Sequence, residues 1–348
     1  MTGAGVYELR GKAYHVSGQG IGMYMKLFDA EGKQLNPEDG RGNIAPVGSL
    51  TGVVGKWEAF SYRFATPPTT AAIQVWIHSF NEAEVEAFLD DLEIVKAEPL
   101  PLPGNKTAYH GFDRYDFSVD GCNALVVAPK QAAPGRPWIW RAEFFDHRPE
   151  ADLALLDKGW HLVYIEVGNT FGCPSAMAHW DVFYRELTEK YGLSPKPALE
   201  GLSRGGLYVY NWATANPDKV GCLYGDAPVC DFKSWPGGKR KGPGSPGDWQ
   251  KLIADYKFAS EAEALAYKKN PIDSLEPLAK AGIPIMHVYG DADEVVPWDE
   301  NTGVVAERYR KLGGHIELIC KPGCKHHPHA LDDPTPIVRF CMKYASGQ

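Results

Sequence analysis

The 348-residue chain has no apolar run approaching the ~20 residues that a membrane helix requires, and no internal repeat or low-complexity tract. A membrane-spanning protein is therefore not expected. Basic charge is in deficit, with 36 Lys and Arg against 44 Asp and Glu and a formal net charge of -8, and no basic stripe interleaved with aromatics occurs. That balance argues against a nucleic-acid partner. Cysteine is sparse for a stapled scaffold. Seven residues, an odd number scattered from Cys122 to Cys341, leave room for one or two disulfides but not for the framework of a small secreted domain. Met1-Thr2-Gly3-Ala4-Gly5 lacks the charged and apolar regions of a signal peptide.

What is present is an ordinary globular composition, 44% hydrophobic and 23% charged, in a chain long enough for two cores. A boundary stands at residues 98–104, where Pro99, Pro101 and Pro103 favour an extended linker. The expected division is a β-sandwich over 1–97, a proline-rich linker over 98–104 and a catalytic domain over 105–348. Before the linker, short alternating runs at 7–14, 22–28, 57–64, 72–77 and 87–95 are separated by turn residues, the spacing of an antiparallel sandwich. After it, apolar runs at 138–140, 161–167, 221–224 and 284–289 read as buried parallel strands. Between them, 151–158, 180–191 and 303–312 read as helices. The expected fold class is α/β, a mostly parallel sheet with helices on both faces, preceded by an all-β sandwich.

Within the second part, Gly201-Leu202-Ser203-Arg204-Gly205 places a serine in a G-x-S-x-G frame between a short strand run and helical spacing at 207–213. Strand, sharp turn and helix form the context of a nucleophile elbow, in which the flanking glycines let neighbouring backbone pass. A serine hydroxyl needs a base, and the base needs an acid. The preferred acid is Asp293, in Gly290-Asp291-Ala292-Asp293-Glu294-Val295-Val296-Pro297, with Asp226 and Asp291 as rivals. The preferred base is His326, three residues after Gly323, with His327 as alternative and His329 as a supporting or helix-start residue. Cys320, Cys324, His326, His327 and His329 also raise a zinc reading, but their spacing matches no familiar finger and Cys320 falls in an apolar run, so neither a metal nor another cofactor is expected. The oxyanion hole needs two backbone N–H groups, expected from Arg204 and from Phe144.

On these residues the second part, about 105–345, resembles the α/β hydrolases, in which the triad runs serine, acid, histidine. Its serine-arginine elbow is similar to the S-R-x-G-K of glucuronoyl esterases, although Leu207 stands where they carry lysine. Trp140–Phe144, Leu199–Gly206, Asp226–Pro236, Val295–Thr302 and His326–His329 together resemble the α/β hydrolases of polysaccharide-degrading bacteria. Most of 5–96 resembles jelly-roll carbohydrate-binding modules, through Trp57–Phe64, Pro67-Pro68, Ile73–Ile77 and Asp90–Ile94. Trp76, Tyr24 and Tyr62 are its candidate sugar-stacking aromatics, a buried core role being the alternative.

These resemblances imply a serine esterase that removes O-acetyl groups or uronate methyl esters from a plant or algal polysaccharide, secreted or periplasmic. A peptidase and a non-catalytic sugar-binding protein are the alternatives. Residues 232–249, rich in Gly and Pro, read as a lid or pocket rim or as a solvated loop. Candidate substrate contacts are Trp180, Trp235 and Trp249 for a sugar, and Arg141, Arg204 and Lys233 for an anion, with a buried ion pair as the other reading of Arg141.

Overall fold

The computed structural model describes residues 5–35, 48–49, 52–66, 70–79 and 84–346. The proline turn at Pro67-Pro68 lies outside these. The chain divides into two compact units, Met1–Pro101 with Glu186–Gly192, and Leu102–Arg185 with Leu193–Gln348.

The first unit contains β1 (Gly5–Ser17), β2 (Ile21–Phe28), β3 (Gln34–Leu35), β4 (Gly48–Ser49), β5 (Trp57–Thr66), β6 (Ala72–Ser79) and β7 (Glu86–Lys96). They form two antiparallel sheets. One has the order β5-β1-β7, and in the other β2 pairs with β3, β4 and β6. Alternation explains the core: on β2, Met23, Met25 and Leu27 point inward onto Leu9, Tyr7 and Phe64, while Tyr24 and Lys26 point outward. Tyr62 packs against this core. Tyr24 and Trp76 instead form a half-exposed outer row, where Tyr24 stacks on Trp76 at 5.1 Å and on His78 at 4.8 Å. Glu186–Lys190 is a π-helical turn that continues the helix beginning at Pro174, and the Leu100 amide donates to the Lys190 carbonyl at 2.9 Å.

The second unit runs β8 (Asn105–Tyr109), β9 (Phe112–Val119), β10 (Cys122–Ala128), β11 (Trp138–Ala142), α1 (Glu150–Asp157), β12 (His161–Glu166), α2 (Pro174–Arg185), β13 (Ala198–Leu202), α3 (Gly205–Ala215) and β14 (Cys222–Asp226). It continues through α4 (Pro246–Asp255), α5 (Glu261–Ala266), α6 (Glu276–Lys280), β15 (Ile285–Gly290), α7 (Thr302–Lys311), β16 (Ile316–Lys321) and α8 (Thr335–Tyr344). Its nine strands are ordered β8-β9-β10-β12-β11-β13-β14-β15-β16, antiparallel as far as the β10–β12 pair and parallel beyond it. Every residue of β11, β13 and β14 is buried, as expected for central parallel strands covered on both faces. The antiparallel strands β8–β10 add an edge that the sequence reading did not delimit. Beside β11, Trp140 stacks on Trp180 at 4.1 Å and meets Trp212 edge-on at 5.1 Å, so three indoles fill one core between sheet and helices.

Two buried histidines make this core sensitive to acid. Burial lowers His161 to about 4 and His287 to about 3, whereas an unfolded histidine titrates near 6.5. Both are neutral in the folded protein, so their stability contribution is complete above pH 6.5. It is lost as pH falls below that value, because the unfolded chain then binds the protons. Each is expected to cost about 2 kcal/mol between pH 8 and pH 5. Urea unfolding at the two pH values checks this, and His161→Gln should shrink the difference by its own share.

Candidate active site

The site is built where the parallel strands end. At the close of β13 the chain turns sharply into α3, and Ser203 sits in the turn with φ +49. That left-handed conformation is uncommon for a residue with a Cβ, and here the surroundings enforce it. The Ser203 amide donates to the Asp226 carbonyl at 2.9 Å, and its carbonyl accepts from Gly206 at 3.0 Å and Val229 at 2.8 Å. The two elbow glycines are sterically required. A Cβ on Gly201 would lie 2.7 Å from the Gly205 carbonyl oxygen, and one on Gly205 would lie 2.6 Å from that of Ala142.

Ser203, His326 and Asp293 come from the ends of β13, β16 and β15. Ser203 Oγ lies 3.0 Å from His326 Nε2, and His326 Nδ1 lies 2.7 Å from Asp293 Oδ2. The other carboxylate oxygen of Asp293 accepts the amides of Val295 and Val296, both at 2.9 Å. Asp293 and His326 are 6% and 7% exposed, while Ser203 is half-buried. An ionised carboxylate only accepts, so Nδ1 carries the imidazole proton and Nε2 presents its lone pair to the serine hydroxyl.

The rival acids have other partners. Asp226 is fully buried; its Oδ1 meets His329 Nδ1 at 2.6 Å, and its Oδ2 accepts from Ala330 N at 2.9 Å and Tyr224 Oη at 3.0 Å. Asp291 is exposed and accepts the Gly323 amide at 2.6 Å, tying the loop after β15 to the loop after β16. His327 is exposed, and its imidazole ring has no hydrogen-bonding partner among the described residues. Cys320 is exposed, and Cys324 Sγ faces the His327 carbonyl at 3.7 Å; neither joins the histidines in a ligand set.

The loop after β11 passes beside the elbow with Glu143 at φ +63 and Phe144 at φ +49. Among the described residues, the amides of Arg204 and Phe144 donate to no other group, which leaves both available to an oxyanion. Arg204 Nε donates to Glu143 Oε2 at 2.7 Å, and its guanidinium lies 4.8 Å from the Phe144 ring. Burial raises the Glu143 carboxyl, and the neighbouring Arg204 opposes that rise. Glu143 was not singled out from the sequence, although an acid two residues after the interior Arg141 was the available signal.

Three expected substrate contacts need correction. Arg141 is completely buried; its guanidinium bonds Asp152, Glu200 at 3.1 Å, and the carbonyls of His147 and of Phe144 at 3.2 Å. It clamps the loop carrying Phe144 and cannot reach a substrate. Trp180 is 1% exposed in the indole core described above, and Trp249 is likewise buried, donating to Glu261 at 2.9 Å. Lys233 Nζ donates to the Tyr267 carbonyl at 2.8 Å, and Trp235 is half-buried with its ring 6.2 Å from Phe171.

Replacing Arg141 by leucine should destabilise the protein by about 3–5 kcal/mol, since Asp152 and Glu200 would remain buried without their cation. Burial already holds the Glu200 carboxyl well above the usual range, against the pull of Arg141. A chemical-denaturation curve with less than about 1 kcal/mol of change would show that the clamp carries little.

No protein-family model matches the chain, and a search of curated proteins found no match. Solved structures are similar in shape. An acylaminoacyl peptidase in complex with Z-Gly-Gly-Phe-chloromethyl ketone superposes with a TM-score of 0.51 at 13% identity, over 76% of this chain and 46% of that one. Dipeptidyl peptidase 4 of Porphyromonas gingivalis gives 0.50 at 12% identity, over 67% of this chain and 36% of that one. The fold is that of an α/β hydrolase. Within this α/β-hydrolase unit, the elbow, acid and histidine loops occupy the carboxyl ends of neighbouring strands, beside the strand-order reversal between β11 and β12. The chain spans a third to a half of the length of these neighbours.

Proposed function

We propose that this chain is a serine hydrolase acting on ester groups of a carbohydrate through an acyl-enzyme. The observation that carries the reading is the unbroken hydrogen-bond path from Ser203 Oγ through His326 to Asp293. Ser203 Oγ attacks the ester carbonyl while His326 Nε2 takes its proton, and Asp293 stabilises the resulting imidazolium. Arg204 N–H and Phe144 N–H receive the developing oxyanion. Collapse expels the alcohol, which takes the proton from His326, and water repeats the sequence on the acyl-serine.

A carbohydrate ester is supported by the motif resemblance and by the outer Tyr24–Trp76–His78 row, a platform of the kind that stacks on sugar rings. With Arg204 neutralised by Glu143, and Arg141 buried, the charge balance around the serine favours a neutral ester over a free carboxylate. A polysaccharide substrate would place the protein outside the cytoplasm, secreted or periplasmic. The second reading, a peptidase, draws on the peptidase names of the two structural neighbours.

The test has two stages. A fluorophosphonate probe should label the wild type and not Ser203→Ala; an unlabelled wild type would end the hydrolase reading. Mass spectrometry of products from acetylated xylan and methyl-esterified pectin then separates acetate from methanol release. Dipeptide p-nitroanilides provide the opposing arm. Amide turnover without ester turnover would give the chain to the peptidases.

A further inference from the structure

The loop after β16 carries three histidines within four positions, and the proposed triad uses one of them. One ring nitrogen each from His326, His327 and His329 lies within 4.8 Å of the others, and the ring centroids are 4.8 to 5.0 Å apart. Two of these rings are oriented by carboxylates: His326 Nδ1 by Asp293 at 2.7 Å, and His329 Nδ1 by Asp226 at 2.6 Å. A carboxylate on one nitrogen fixes the tautomer and makes the other nitrogen a better metal ligand. The third ring, His327, is exposed and holds no hydrogen bond among the described residues.

We propose that His326, His327 and His329 form a binding site for a divalent transition-metal ion of the zinc type, and that occupation of this site turns the hydrolase off. Imidazole nitrogens suit Zn²⁺ and Cu²⁺, and three of them leave a fourth position for water. Zinc–nitrogen bonds of about 2.1 Å place tetrahedral ligands about 3.4 Å apart, so the ring nitrogens must close by up to about 1.4 Å, chiefly at solvent-facing His327. His326 has one nitrogen to give. Its Nδ1 keeps its proton and donates it to Asp293, so the metal takes the Nε2 lone pair that otherwise accepts the Ser203 proton. Metal and nucleophile compete for one electron pair. The inhibition rests on His326 acting as the base; the binding does not.

The experiment uses the full chain freed of any affinity tag. Zn²⁺ is titrated against a chromogenic chelator, and Co²⁺ is added separately to read the visible bands of a tetrahedral site. One equivalent should bind, His327→Ala and His329→Gln should each weaken it at least tenfold, and Ser203→Ala should tighten it by removing the competitor. His327→Ala should keep wild-type basal activity while its zinc inhibition constant rises at least tenfold. Wild-type zinc affinity in His327→Ala, or no stoichiometric binding by the wild type, would overturn the site. One equivalent bound by a protein that labels with no fluorophosphonate would leave the metal site standing and remove the hydrolase reading.

Discussion

Ser203→Ala is expected to lower turnover by about 10⁴-fold or more while leaving the melting temperature nearly unchanged. Alanine keeps the Cβ that the elbow already accommodates, so the strained turn gains no new clash. The Ser203 amide and carbonyl bonds to Asp226, Gly206 and Val229 belong to the backbone and survive. What disappears is one hydroxyl and its 3.0 Å contact with His326. His326 remains held by Asp293, so the site is preserved apart from its nucleophile. Residual rate above the uncatalysed reaction would come from the oxyanion amides and from substrate binding alone. Single-turnover kinetics with the best ester found check the loss. A variant that retained even a tenth of wild-type turnover would remove Ser203 from the mechanism.

Asp293→Asn should cost about as much, for a reason that the amides around it dictate. The Asp293 Oδ1 position accepts two backbone N–H groups, from Val295 and Val296. In the variant the amide oxygen must stay there, since an NH₂ group in its place would leave both backbone N–H donors without an acceptor. The NH₂ is then turned towards His326 Nδ1, which becomes the acceptor. The imidazole proton moves to Nε2, where it points at Ser203 and cannot abstract a proton. Asp226→Asn provides the contrast. Asp226 bonds His329, Ala330 and Tyr224 in a fully buried setting, so its replacement should lower stability by a few kcal/mol with a much smaller effect on kcat. Reversed effects in the two variants would move the acid to Asp226.

The comparison between these aspartates shows what the sequence could and could not say. Strand, turn and helix around Ser203 were legible because glycines at 201 and 205 have a steric cause that acts over a few residues. The choice among Asp226, Asp291 and Asp293 was not resolved by sequence, because all three lie at or just past the ends of neighbouring strands. Which histidine each carboxylate faces depends on loops that meet across 30 to 100 residues of sequence. Arg141 was half legible. An arginine inside Trp138–Ala142, a run otherwise apolar, has to find an anion, and Glu200 stands opposite it in register on β13. That pairing could have been read only with the strand order known. Trp180 misled because residue type does not give direction, and helix α2 turns this indole onto Trp140 instead of a pocket. The loop after β14 is similar. Its Asp231 and Cys230 amides are held by Asn301 Oδ1 at 3.1 and 2.8 Å, so a motif read for its substrate contacts is in part a brace between two loops.

The π-helical segment Glu186–Lys190 has a practical consequence for anyone dissecting the protein. The proline-rich stretch looks like the natural place to cut, yet Glu186–Gly192, eighty-five residues downstream of Pro101, is counted with the amino-terminal unit. A fragment beginning after the linker would carry this turn with the Leu100 amide that caps Lys190 removed. A fragment ending there would lack the turn. Neither truncation produces a unit equivalent to its counterpart in the intact chain. Loss of sugar binding or activity on deletion would therefore confuse a missing function with a damaged neighbour, and point changes on the outer face at Trp76 or Tyr24 are the cleaner instrument.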